Sequence, residues 1–333
     1  MEGAHPEVMN RLLETNLQHT VGYGGDEYTQ EAQQLIRNAC QAPQALVRFL
    51  VGGTQTNATV IDTILRRHEG VMAAETAHIN VHESGAIEFC GHKVLTLPSH
   101  QGKVCPSEVE QYITDFYNDD TWEHMVVPGM LYITQPTEFG TLYSLEELEQ
   151  LSALCHKHNI PLYLDGARLA YALASPEADF SLPDLARLCD AFYIGGTKCG
   201  LLFGEAVVAP NPSRLPHFLT SVKQHGALLA KGRLQGIQFA TLFSDNLYTR
   251  IAERAVKQAL RLRDAFTKHG YRMAVNSPTN QQFPILPNSV IDRLSKYATF
   301  ELWGPRGEKE TTVRFVTSWA TTDEDIDTMI SLI

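Results

Sequence analysis

Between residues 45 and 210, apolar runs of strand length alternate with stretches whose apolar residues recur at helical spacing, and this alternation constrains the fold most strongly. Strand-like runs occupy Ala45–Val51, Val71–Ala74, Lys93–Leu97, Met130–Thr134, Pro161–Leu164 and the residues from Ala191 to Gly195. Helical patterns cover Thr56–His68, Ser107–Tyr117 and the stretch from Ser144 to about Asn159. Ser144 is placed to accept first-turn amides, and Glu146 and Glu147 favour the positive end of that helix. Strands apolar along their whole length are buried on both faces. The pattern therefore predicts an α/β fold with a mostly parallel sheet, built by right-handed crossovers and covered by helices on both sides.

The flanks have a different rhythm. His5–Asn16 has helical spacing, Val21–Tyr28 is too glycine-rich for regular structure, and Thr29–Gln41 returns to a helix. After Pro210 one long helical stretch, Arg233–His269, is followed by short runs at Tyr271–Val275 and Gln282–Leu286. A helix near Asn288–Tyr297 and two strand-like runs ending in Thr312–Thr317 follow. We read residues 1–235 as a large domain with an N-terminal helical segment, and residues 236–333 as a smaller α+β domain led by a linking helix.

The 333 residues are 44% hydrophobic, enough for one large core with a smaller one attached. A net charge of −11 argues against a nucleic-acid or anionic-membrane partner and directs attention to small molecules or proteins. Cysteines at 40, 90, 105, 155, 189 and 199 form no C-x-x-C pair, so no zinc or redox site is expected. Free thiols, no secretory signal pattern and no apolar run near ~18 residues predict a soluble cytoplasmic protein.

Three strand ends carry chemistry. Gly52-Gly53-Thr54 follows the first strand and opens a helix, an arrangement that presents unpaired amides and the positive end of the helix dipole to a phosphate. The same residues also read as an ordinary tight turn. Asp165 closes a buried strand, where a carboxylate needs a partner such as a protonated pyridine nitrogen; a helix cap beside a structural Arg168 is the alternative. Lys198 follows the strand Ala191–Gly195 and two glycines, and a lysine shielded from water gives the neutral amine that forms a Schiff base with an aldehyde. Parallel strands end on one edge, so all three sites can meet around one pyridoxal phosphate. His78 lies in a segment with His82 and Glu83 and could stack on a flat ring, or be an ordinary polar residue.

Six segments then define a resemblance: Gly53–Asn57, His78–Gly85, Gln135–Thr141, Asp165–Arg168, Gly195–Lys198 and Val313–Ser318. Together, in order and across essentially the whole chain, they resemble the low-specificity L-threonine aldolases. These belong to the aromatic amino acid β-eliminating lyase/threonine aldolase group of fold type I pyridoxal phosphate enzymes, with the aspartate aminotransferase architecture. The resemblance implies that Lys198 holds the cofactor, Asp165 pairs with its ring nitrogen, His78 stacks on the ring and assists proton transfer, and Gly53 and Thr54 bind its phosphate. It places Arg168 beside the cofactor and gives Arg168 and Arg314 the substrate carboxylate, His124 the β-hydroxyl, and Lys231 or Arg233 the phosphate of a neighbouring subunit. No metal is implied, and the expected assembly is a homodimer or homotetramer. Relative to the family the chain is expected to begin late, without several polar residues that usually precede the segment matching Met1–Pro6.

The implied activity is retro-aldol cleavage of L-threonine or L-allo-threonine to glycine and an aldehyde. Other lyase chemistry at the same site, namely phenylserine cleavage, β-elimination or racemisation, is the nearest alternative. A catalytically idle relative that binds the cofactor is another. A nicotinamide-dependent oxidoreductase is disfavoured by the absence of a G-x-G-x-x-G fingerprint.

Overall fold

The computed structural model describes residues 2–333. Its larger sheet has seven strands: β1 (Leu46–Leu50), β2 (Glu69–Ala74), β3 (Val94–Leu97), β4 (Val127–Thr134), β5 (Leu162–Asp165), β6 (Ala191–Gly195) and β7 (Glu205–Ala209). Their order across the sheet is β1-β7-β6-β5-β4-β2-β3. Strands β3, β2, β4, β5 and β6 pair in parallel, whereas β7 is antiparallel to both β6 and β1. The central strands β5, β6 and β7 are buried at every position, which is why their sequences are apolar without alternation.

Strand direction decides what meets at the functional edge. The carboxyl ends of β1, β4, β5 and β6 lie together, and the reversed β7 brings its first residue there, with Glu205 opposite both Gly195 and Leu50. Only nine residues, 196–204, connect β6 to β7, too short for the crossover a parallel partner needs.

Five short strands form the second sheet: β8 (Arg272–Met273), β9 (Gln281–Gln282), β10 (Pro284–Pro287), β11 (Glu301–Leu302) and β12 (Glu310–Val316). All its pairings are antiparallel, in the order β11-β12-β10-β8, with β9 also on β12. The helix Leu247–Lys268 joins the two layers. Its residues up to Val256 enter the core of the seven-stranded sheet, while Leu262 and Phe266 pack with Leu286, Leu294, Val313 and Phe315 in a second core.

The helix expected over Arg233–His269 is two helices, Arg233–Phe243 and Leu247–Lys268. Asp245 and Asn246 between them adopt φ of 49° and 58°, left-handed backbone that these two residue types tolerate better than most. The helix after β1 runs Gly53–Ile64, beginning three residues before the predicted start, so its first turn is the glycine turn itself. The start at Ser144 is a capping box: Glu147 N donates to Ser144 Oγ at 3.2 Å, and Ser144 N donates to the Glu147 carboxylate at 2.8 Å.

Candidate active site

The loops following β5 and β6 pack backbone against backbone. Gly195 N donates to Gly166 O at 2.9 Å, and a Cβ on Gly195 would lie 2.3 Å from Ala167 O. No side chain fits there, so the two loops, and with them Asp165 and Lys198, are held in a fixed relation. Asp165 is buried and fully engaged: Oδ1 accepts from Ala167 N at 2.9 Å, and Oδ2 accepts from Tyr132 OH at 2.7 Å and Asn57 Nδ2 at 2.9 Å. Three neutral donors stabilise a carboxylate without neutralising it, leaving its charge available to a cation in the cavity.

That cavity, of about 310 Å³, is lined by Asp165, Lys198, His78, Gly53, Thr54 and Arg168 together with Glu83, Glu138, Tyr193 and Glu205. The helix Gly53–Ile64 points its N-terminus into it with no side-chain cap, and a Cβ on Gly52 would meet nothing within 4 Å. Open first-turn amides of this kind receive an anion. Lys198 reaches the cavity from the neighbouring strand end. The Arg168 guanidinium, followed by burial, lowers its ammonium below the usual lysine value, against the opposing pull of Asp165 and Glu205. The cavity leaves this side chain accessible to a ligand although protein encloses it on its other sides. Glu205 accepts from Gly196 N at 3.2 Å, and burial pushes its carboxyl up, with the Thr197 hydroxyl and Lys198 acting in the other direction.

A second set of bonds fixes His78. Its Nδ1 lies 2.7 Å from Glu83 Oε1, which also accepts from Asn57 Nδ2 at 2.8 Å. Glu83 is buried and its carboxylate accepts, so the imidazole proton of this contact is assigned to Nδ1. Asn57 Oδ1 accepts in turn from Tyr163 OH at 2.9 Å, so one side chain ties His78 through Glu83 to Asp165. Glu138 Oε1 accepts the backbone amide of His78 at 2.9 Å. Burial raises the Glu138 carboxyl to about 7, and the nearby Asp165 charge adds to the shift.

The cavity continues into a space of about 610 Å³ beneath the second sheet, where Arg168 and Arg314 face it with His78 and Lys198. Arg168 has no acidic partner among the described residues; burial and then the Arg314 charge lower its proton affinity. Arg314 Nη1 donates to Gln281 Oε1 at 3.2 Å, Nη2 pairs with Glu301, and the guanidinium lies 4.9 Å from the Trp303 ring centre. Two guanidiniums facing one space form a receptor for a carboxylate.

Three residues named from the sequence are not brought to this cavity by the chain that carries them. His124 is exposed in a single turn, Trp122–His124, ahead of the amino end of β4, whereas Thr134 at the other end pairs with Asp165. At ~3.3 Å per residue that separates His124 from the functional edge by more than roughly 20 Å. Arg233 donates to Gln18 O at 2.9 Å and Thr15 O at 2.7 Å, and lies 5.4 Å from the Tyr28 ring centre, tying the N-terminal segment to the core. Lys231 is exposed just before that helix and lines neither space.

Sequence reasoning missed Asn57, Glu83, Tyr132, Glu138, Tyr163 and Glu205 as site residues. A signal existed for two of them: Tyr132 and Tyr163 interrupt apolar strands at fully buried positions, and a buried tyrosine hydroxyl needs a partner. Their partners came from segments far away in the chain.

The residues present fit pyridoxal phosphate: an uncapped helix end for its phosphate, a pre-organised carboxylate for its ring nitrogen and a lysine of reduced basicity for its aldehyde. The fold is that of the fold type I pyridoxal phosphate enzymes, and the family match defines the class within it, a lyase. The chain belongs to the beta-eliminating lyase family, whose model matches residues 2–287. It is 29% identical over 338 aligned residues to the low specificity L-threonine aldolase of Pseudomonas aeruginosa, covering 98% of this chain and 92% of that one. The solved structure of the threonine aldolase of Leishmania major superposes with a TM-score of 0.96 at 41% identity, over 99% of this chain and 96% of that one. Aspartate aminotransferase from Thermus thermophilus, 16% identical, matches with a TM-score of 0.70 over 99% of this chain and 88% of its own, a likeness of fold.

Proposed function

We propose that this chain is a pyridoxal-phosphate-dependent aldolase that cleaves L-threonine, L-allo-threonine and related β-hydroxy-α-amino acids to glycine and an aldehyde. The observation that carries the reading is the convergence on one cavity of Asp165, Lys198, the Gly53–Thr54 helix end and the Arg168–Arg314 pair. It is supported by the 41% identity to the Leishmania major threonine aldolase.

Pyridoxal phosphate, when bound, supplies an electron sink for the pair released at Cα. Lys198, its ammonium destabilised by Arg168 and by burial, would hold the cofactor at its aldehyde carbon. Asp165, oriented by its three donors, would pair with the ring nitrogen, and the Gly53 and Thr54 amides would hold the phosphate. Arg168 and Arg314 fix the substrate carboxylate, which turns the Cα–Cβ bond toward the direction in which it breaks. Nε2 of His78 takes the β-hydroxyl proton while Glu83 supports the developing imidazolium. The O–H pair becomes the carbonyl bond, the Cα–Cβ pair passes to Cα, and the aldehyde leaves. Return of a proton to Cα gives glycine.

We further propose a homodimer or homotetramer, supported by apolar side chains left in solvent on one chain, among them Leu17 at 88% and Phe89 at 93% exposure. The cytoplasmic setting is supported by six cysteines, none paired in a disulfide. No helix among the described residues is long and apolar enough to cross a membrane.

The test is product analysis with purified protein, added pyridoxal phosphate and L-threonine or L-allo-threonine, beside Lys198→Ala. Acetaldehyde and glycine in equal amounts, abolished in the variant, are expected. Ammonia with a keto acid would replace the aldolase reading with β-elimination. Cofactor uptake without turnover would leave a binding protein, and a monomeric mass with full activity would overturn the assembly.

A further inference from the structure

We propose that the Glu301 carboxylate occupies, in the free protein, the place on Arg314 that a substrate carboxylate takes, so that amino-acid binding is an exchange of carboxylates and Glu301 sets the affinity. The inference rests on the carboxylate-binding role given to Arg314 above and adds a residue to it.

Glu301 and Arg314 stand directly opposite each other on β11 and β12, and the Glu301 carboxylate pairs with Arg314 Nη2. The pair is lopsided. The arginine side chain is 15% exposed and the glutamate 64%, so Glu301 reaches in from solvent to a guanidinium fixed on its other sides by Gln281 and Trp303. It does not saturate that group, because the buried Nε of Arg314 has no acceptor among the described residues. It gives nothing to Arg168, which faces the same space without an acidic partner among the described residues.

Two cations facing one space favour an anion that touches both, and a carboxylate entering between Arg168 and Arg314 gains what Glu301 gains from one alone. Displacing Glu301 is easy. It lies on a two-residue strand joined only to β12, followed by Trp303 and by Gly304 at φ 100°, and its carboxylate returns to water when released. A mostly exposed ion pair of this kind competes with an incoming carboxylate by about two- to five-fold in affinity. The same exchange keeps Arg314 paired between turnovers, which limits repulsion between the two guanidiniums.

The experiment titrates the purified full chain with acetate, which carries no amine to react with any cofactor, and follows the fluorescence of Trp303 beneath the Arg314 guanidinium. The titration is repeated with Glu301→Gln, Glu301→Ser and, as the signal control, Trp303→Phe. A saturable response lost in Trp303→Phe is expected, with acetate binding about two- to five-fold tighter in both Glu301 variants. With L-threonine as substrate, KM should fall by a similar factor while kcat moves less. Weaker acetate binding in the variants would mean that Glu301 buttresses Arg314. Unchanged binding would make it a bystander, and no saturable response in any form would remove the exchange altogether; each result overturns the proposal. If the wild-type chain releases no aldehyde, the proposed activity fails while the acetate titration still decides the role of Glu301.

Discussion

Asn57 donates from one amide nitrogen to both Asp165 Oδ2, at 2.9 Å, and Glu83 Oε1, at 2.8 Å. The carboxylate proposed to face the cofactor ring nitrogen and the carboxylate bonded to His78 are therefore set by a single side chain on the helix Gly53–Ile64. Displacement of that helix would disturb all three functions together.

Glu83→Gln removes the charge that supports a protonated His78 and replaces an oxygen that only accepts by an amide that can also donate. We expect kcat for aldehyde release from L-threonine to fall about 10- to 100-fold, the range over which orienting partners of reactive histidines act. Initial rates measured beside His78→Ala check this, and a rate within two-fold of wild type would show that the Glu83–His78 contact has no part in turnover.

Glu138 gives a pH signature. Its carboxyl titrates at about 7 in the fold, above its unfolded value near 4.3, so its contribution to stability is complete below the unfolded value and is lost as pH rises toward 7. Relative to Glu138→Gln, the wild-type chain should lose stability between about pH 4.5 and 7, by up to about 1.4 kcal/mol per pH unit, and level off above. Urea unfolding of both proteins at fixed concentration across this range measures the difference. A difference independent of pH would contradict the raised value.

Arg233 and Lys231 separate by their contacts. Arg233→Ala abandons the carbonyls of Thr15 and Gln18 and the face of Tyr28, and should lower stability by about 1–3 kcal/mol even without cofactor. Lys231→Ala, at an exposed site, should change stability by less than about 0.5 kcal/mol. Thermal or urea unfolding of the two variants settles whether Arg233 anchors the N-terminal segment.

Gly195→Ala sets a Cβ into the Ala167 backbone and should cost about 1–3 kcal/mol or more, because neither backbone can move without shifting Asp165 or Lys198. Gly52→Ala, whose Cβ enters open space at extended backbone angles, should leave stability within about 0.5 kcal/mol of wild type. Circular-dichroism melts of the pair distinguish a glycine required by packing from one that leaves room for a ligand.

Asp165, Lys198 and the turn at Gly53 were legible because each lies at the end of an apolar run, and the rule that parallel strands end on one edge places them together. Glu205 was not, because it begins its strand, and only the antiparallel direction of β7 carries it to that edge. The nine-residue connection before it was the available clue. His124 shows the converse. It lies close in sequence to a strand that ends at the site, but before its amino end, so within one chain proximity in sequence becomes distance in space.

Apolar periodicity and the residue types at strand ends are local properties, and from them the sequence alone determined the layered α/β architecture, the functional edge and the chemical character of the groups on it. The hydrogen-bonded union of Asn57, Glu83, His78, Tyr132 and Asp165, the pairing of Glu301 with Arg314 and the lowered basicity of Lys198 are properties of distance between segments far apart in the chain. Only the tertiary structure decided them, because burial, Coulomb energy and hydrogen bonding depend on separations of a few ångströms that no periodicity encodes.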